Sequence, residues 1–220
     1  MTERVKLVTE RPRMTPRDPG RRDRILSAAY AALAAGGLRG LRTEAVAAAA
    51  SVSKGAVFLE FPTKEALVAA VVEQILAASR ARYMAEVLPI EAPLLRLAAT
   101  LRFVFRERER EPVFDHLLRE DPDLKVLRGY ADQPDQRQRA DAELAMIRAW
   151  LAEGMADGTV RSDLSMELTP YVLSLLRFCH DHVGAATADR APRGAVLDSL
   201  VDLFVAGLAT EAGRKLLNGG

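Results

Sequence analysis

The sequence predicts an all-α protein, and three observations carry that expectation. About half of the residues are hydrophobic but only 5% are aromatic, and alanine, the best helix former, is abundant. Apolar residues recur at spacings of three and four, with no strand-like alternation. Gly, Pro and capping residues punctuate the runs where helices should stop and start.

Taken in order, residues 1–20 hold Pro12, Pro16, Pro19 and scattered arginines without periodicity, and read as a disordered basic arm. A helix follows from Arg22, with Ile25, Ala29 and Leu33 on one face, and Gly36-Gly37 stops it. Short helices are predicted over 43–50 and 53–58. A long one is predicted over 64–88, with Leu67, Val71, Ile75 and Ala78 along one face, Thr63 as its cap and Glu65 in its first turn. Further helices are predicted over 92–108, after Pro112, and over 134–154, 166–184 and 192–208. Residues 121–136, rich in Asp and Pro, read as a loop, and "ADGTVRSDLS" reads as a turn with Ser165 as a cap. The expectation is about nine helices and no internal repeat.

Composition narrows the function. The single cysteine, Cys179, excludes an intramolecular disulfide framework and suits a reducing compartment. No apolar run reaches the roughly 18 residues of a transmembrane helix, and the N-terminus lacks a signal peptide's apolar core. A cytoplasmic protein with no membrane partner is expected. The net charge is +1, but residues 1–65 hold 12 Lys and Arg against 7 Asp and Glu, and the rest 19 against 23. A basic front and an acidic back point to a polyanion at the front only.

The segment "SVSKGAVFLEFPTKEAL", Ser51 to Leu67, gives that partner a site. Residues 43–62 have what a helix-turn-helix needs: Ala47 as a small contact residue, and Val46, Ala50, Val52 and Val57 as an inner face. Ser53 caps the second helix, whose first turn presents Lys54 and the bare backbone of Gly55 to a phosphate. An ordinary helical hairpin capped by Ser53 fits the same pattern.

Other residues were weighed for chemistry. "CHDH", Cys179 to His182, could begin a metal site with His116, but only Cys179 and His182 share a helix face, so Cys179 reads as core and no metal or cofactor is expected. Phe103, Phe114, Met146, Trp150 and Phe178, with His116 as a polar anchor, could line an apolar ligand cavity; simple core is the plainer reading of each. "FRERER", Phe105 to Arg110, reads as a solvated helix end. Nothing resembles a catalytic set, so the chain is not read as an enzyme.

The motifs "ILSAA", "LRTEAVAAAASVSKGAVF" and "FPTKEAL", in this order and spacing, resemble the DNA-binding domain of the TetR (tetracycline-repressor) family of bacterial transcription regulators. The resemblance covers about 60 residues. It implies a DNA-binding domain over 21–80 with its motif at 43–62, and a C-terminal ligand-binding and dimerisation domain over 81–220. It implies a homodimer, a double-stranded DNA operator, a small-molecule effector and repression. It places Arg42, Thr43, Ser53, Lys54, Gly55, Phe58 and Lys64 at the DNA. It implies a four-helix dimer interface from the last two helices, for which Tyr171, Leu175 and Phe178 on one and Val196, Leu200 and Phe204 on the other offer apolar faces.

Three positions depart from the family pattern. Ser51 replaces the usual turn glycine, Phe58 replaces a tyrosine, and Glu60 would repel phosphate if it faced DNA. These departures support a rival reading, a small-molecule or lipid carrier of the same fold that has lost DNA binding. An α-helical metalloenzyme around His116, His180 and His182 is a further rival, weakened by its ligand spacing.

Overall fold

The computed structural model describes residues 20–121, 125–176, 179–180, 183 and 190–219. The arm expected at 1–20 lies, apart from Gly20, outside these residues, as do Phe178 and His182.

Among the described residues the chain is all-α, with helices α1 (Arg21–Gly40), α2 (Thr43–Ala49), α3 (Lys54–Glu60), α4 (Lys64–Glu86), α5 (Pro93–Arg110) and α6 (Pro112–Glu120). A 3-10 turn (Lys125–Leu127) leads into α7 (Arg128–Ala131), α8 (Pro134–Ala156), α9 (Thr169–Leu175), α10 (Arg193–Leu208) and α11 (Glu211–Asn218). The predicted caps are in place. Ser53 Oγ and Thr63 Oγ1 each accept from a backbone N–H three residues on, at 3.1 Å, which satisfies donors that a helix start leaves open.

Three expectations need correction. Residues 121–136 are not all loop, because Leu127 is buried and Tyr130 reaches α4, drawing the 3-10 turn and α7 against it. A last helix, α11, follows the one predicted to be final, capped by Thr210 Oγ1 accepting from Gly213 N. The end of "FRERER" is not solvated throughout: Glu107 and Arg108 are only 13% and 14% exposed in their side chains, paired with Arg82 and Asp115.

Two apolar clusters organise the helices. The first joins Ile25, Ala29 and Leu33 of α1 to Val46 of α2, Val57 of α3 and Leu67, Val68 and Val71 of α4. It also takes Val113 and Leu117 of α6, both fully buried, and Leu127, so this core reaches well past residue 80. The second joins α5, α8, α9 and α10 through Leu97, Leu101, Trp150, Leu151, Leu173, Leu197 and Val201. The turn predicted at "ADGTVRSDLS" is anchored by a single antiparallel bridge between Val160 and Ala209. No helix among the described residues is long and apolar enough to cross a membrane.

The predicted stop at Gly36-Gly37 is a kink inside α1. Gly37 sits at φ 60° and ψ −152°, a backbone that only glycine adopts at little cost. Glu120 of α6 makes use of the break: its Oε2 accepts from Leu38 N at 2.6 Å and Arg39 N at 3.2 Å, capping the new helical turn. A Cβ at Gly37 would lie 2.7 Å from that oxygen. Gly37→Ala should therefore lower stability by at least about 1 kcal/mol, read as a fall in the thermal or urea midpoint. An unchanged midpoint would show that the kink tolerates a side chain.

Candidate nucleic-acid interface

The turn between α2 and α3 closes by two hydrogen bonds. Ser51 N donates to Ala48 O at 3.1 Å and Val52 N donates to Ala47 O at 2.9 Å. That is a Schellman closure, and it puts the residue after the helix cap in the left-handed region. Ser51 is there, at φ 54°, the one non-glycine with positive φ among the described residues. From α1, Arg24 Nε donates to Ala50 O at 3.2 Å, so the turn is tied to the first helix as well.

α3 then divides its residues between two sides. Val57 faces in and is 2% exposed, and Phe61, just past the helix, is 3% exposed beneath the Arg22 guanidinium, 4.4 Å from its ring centre. Lys54, Gly55, Phe58 and Leu59 face out. Leu59 is 79% exposed. Gly55 has no structural need to be glycine, because a Cβ there would meet nothing closer than Ser53 Oγ at 3.8 Å.

Glu60 does not face outward. Its side chain is 7% exposed and accepts from Arg21 Nε at 3.0 Å, with Arg22 Nη1 4.0 Å away. The repulsion anticipated from this carboxylate is thus removed, since Glu60 ties α3 back to α1. Lys54 Nζ lies 2.5 Å from Glu44 Oε1 and 6.0 Å from the Phe58 ring centre. The hydrogen bond from Lys54 holds the Glu44 carboxyl below its ordinary range. Lys64 Nζ donates to Leu38 O at 2.5 Å. Arg42, exposed, precedes α2, and Thr43, half-buried, begins it. Of the seven residues predicted at the interface, Thr43 lies on α2, Lys54, Gly55 and Phe58 on α3 and Lys64 on α4, while Arg42 and Ser53 directly precede α2 and α3.

The residues predicted to line a ligand cavity are not gathered in one place. Phe114 packs on the first cluster under Arg108, while Met146 and Trp150 belong to the second, with Arg96 over the indole at 5.3 Å. Phe103 is buried edge-on to Tyr83, and His116 is half-buried on α6. Cys179 packs on the second cluster and His180 is fully buried. A narrow cleft of about 30 Å³ does lie between α5, α8 and α9, bordered by Leu97, Thr100, Phe105, Glu143, Ile147 and Ser174.

Of the residues predicted at a dimer interface, Tyr171 and Leu175 are 48% and 60% exposed, while Val196, Leu200 and Phe204 are half-buried against the second cluster. The sequence reading missed Leu168 and Leu203, exposed by 61% and 73%. An open apolar groove of about 370 Å³ runs beside Leu203, among Leu164, Val172, Phe204 and Leu208.

A two-helix motif with a left-handed turn, carried on a kinked first helix and joined to a larger helical body, defines a helix-turn-helix DNA-binding protein. Residues 25–71 match the model of the bacterial regulatory proteins of the tetR family. Through that segment the chain is similar to the TetR family of transcriptional regulators. Its fold is shared with a TetR transcription regulator from Haloarcula marismortui, at 19% identity and TM-score 0.68, over 86% of this chain and 98% of that one. The ketosteroid transcriptional regulator of Mycobacterium tuberculosis is similar at 22% identity and TM-score 0.62, over 87% and 96%. So is the regulator FadR from Bacillus subtilis in complex with stearoyl-CoA, at 19% identity and TM-score 0.55, over 84% and 98%. No curated protein matches the chain in sequence.

The left-handed serine is a testable cost. Ser51→Gly removes the steric penalty and should raise stability by up to about 1 kcal/mol. Chemical denaturation of the two proteins measures it, and a destabilised glycine variant would mean that the hydroxyl stabilises the turn by more than the strain costs.

Proposed function

We propose that this chain is a dimeric, cytoplasmic repressor that binds a palindromic operator and is released by a small, largely apolar effector. The observation that carries the DNA-binding half is the outward side of α3. Lys54, Gly55, Phe58 and Leu59 are exposed together, next to a glycine that the fold itself does not require. Gly55 leaves room for close approach to a duplex. Arg42, Thr43, Ser53, Lys54, Phe58 and Lys64 would then meet the DNA backbone, Lys54 and Lys64 exchanging Glu44 and the Leu38 carbonyl for phosphates.

In this reading residues 21–80 form the DNA-binding head and 81–220 the sensor and dimerisation body. Two heads would enter successive major grooves about 34–36 Å apart. The exposed side chains of Leu168, Tyr171, Leu175 and Leu203, with the groove beside them, offer an apolar surface for a second copy. The sensor would be the cleft between α5, α8 and α9, with Thr100, Glu143 and Ser174 as its polar groups and Met146 and Trp150 in the packing behind it. At its present volume it holds no effector, so binding requires those helices to part. The stearoyl chain of the ligand bound to the Bacillus subtilis relative and the ketosteroid named for the mycobacterial one are both largely apolar. An effector releases DNA only by its preference for the parted shape.

The test is a mobility shift on the duplex flanking the chain's own coding region, repeated over a salt series. Lys54→Ala should weaken specific and random DNA about equally and flatten the salt dependence by about one unit of slope. Loss confined to the specific duplex would make Lys54 a base reader, and no shift on any duplex would return the chain to the carrier reading.

Restoring the hydroxyl with Phe58→Tyr should strengthen binding to both DNAs by about three- to thirtyfold, through one added bond to a charged acceptor. Phe58 is 45% exposed, so folding should not change. Unaltered affinity on both duplexes would place this ring away from the backbone.

A further inference from the structure

The outward side of α3 has almost no means of reading bases by hydrogen bonds. The helix is Lys-Gly-Ala-Val-Phe-Leu-Glu, and holds no Asn, Gln, Arg, Ser or Thr. Its two polar side chains are committed elsewhere: Glu60 is turned in against Arg21 and Arg22, and Lys54 is held by Glu44 at the helix start. Ser53, before the helix, uses its Oγ to accept from Ala56 N. What α3 does present is two apolar side chains, the half-exposed Phe58 ring beside Lys54 and a leucine, 79% exposed, one helical turn beyond Gly55 and so on the same strip. The glycine keeps that strip low, and the leucine side chain stands out beyond it.

In a major groove the one apolar feature that differs between base pairs is the C5-methyl group of thymine. A projecting aliphatic side chain has nothing else there to recognise. We propose that Leu59 is a specificity-determining residue that packs on a thymine methyl group, so that α3 reads its half-site by apolar contact. Hydrogen-bonded base selection by α3 is then absent, and the remaining specificity falls to residues outside it and to duplex shape. The inference rests on the reading of α3 as the DNA-facing helix.

The experiment starts from a duplex selected from a random pool by the full-length protein. Each thymidine of the selected site is replaced in turn by deoxyuridine, which keeps the base pair and removes only the methyl group. One position in each half-site should lose about fourfold in affinity, and the doubly replaced duplex about fifteenfold, as expected for one buried methyl per half-site. Leu59→Ala, a change at an exposed position that leaves the fold intact, should bind the thymidine and deoxyuridine duplexes alike at that position. Equal binding of every deoxyuridine duplex by the unaltered protein overturns the proposal. So does a methyl preference that survives in Leu59→Ala, since another side chain then reads it. If no duplex is selected at all, the DNA-binding reading itself fails and this inference with it.

Discussion

The burial of α6 against α1 is the contact on which the architecture depends. Val113 and Leu117 are fully buried among the side chains of α1 and its neighbours, although their helix directly follows α5, whose core lies in the other cluster. The helix-turn-helix pair is too short to hold itself, with two helices of seven residues each. It is held instead by α1, through Arg24 at the turn and Arg21 at Glu60, and α1 is held by α6. Apolar burial and a few charge-assisted bonds thus make one continuous support from the second cluster to the outward side of α3.

That support also decides what α3 shows to its surroundings. Turning Glu60 inward has two effects at once. It supplies an anchor to α1 at low exposure, and it removes a negative charge from the outward side of α3. What remains outside is one lysine, a bare backbone and two apolar side chains. Such a surface gains general affinity from charge and shape, and has few ways to favour one base by donor and acceptor pattern.

Much of the DNA-binding head was legible because its signals are local. Ser53 and Thr63 read as caps from their own neighbours, Ile25, Ala29 and Leu33 gave the inner face by spacing, and the resemblance marked Ser51 as standing at a turn-glycine position, where the structure has positive φ. The direction in which Glu60 points was not legible because its partner lies 39 residues away, and nothing within α3 announces it. The same limit scattered the aromatic set: Phe114 and Trp150 look alike in sequence, but the bend between α5 and α6 sends them to different clusters. α11 escaped notice because Gly213 and the terminal glycines disguise eight residues of helix. Leu59 was overlooked because an isolated leucine in an apolar run signals core, and only its exposure in the fold says otherwise.

One peptide unit in the kinked first helix has a consequence for how force passes through the molecule. In the unit that joins Leu38 to Arg39, the N–H of Arg39 is held by Glu120 at the end of α6, and the carbonyl of Leu38 by Lys64 at the start of α4. That peptide plane is therefore a pivot gripped from both sides. A small slide of α6 draws on the amide while the lysine restrains the carbonyl, so the peptide plane must tip, and the loop into α2 tips with it. Were Lys64 to release that oxygen for the proposed phosphate contact, the grip would become one-sided and α6 alone would set the angle. The stiffness of this hinge would then depend on what the lysine holds.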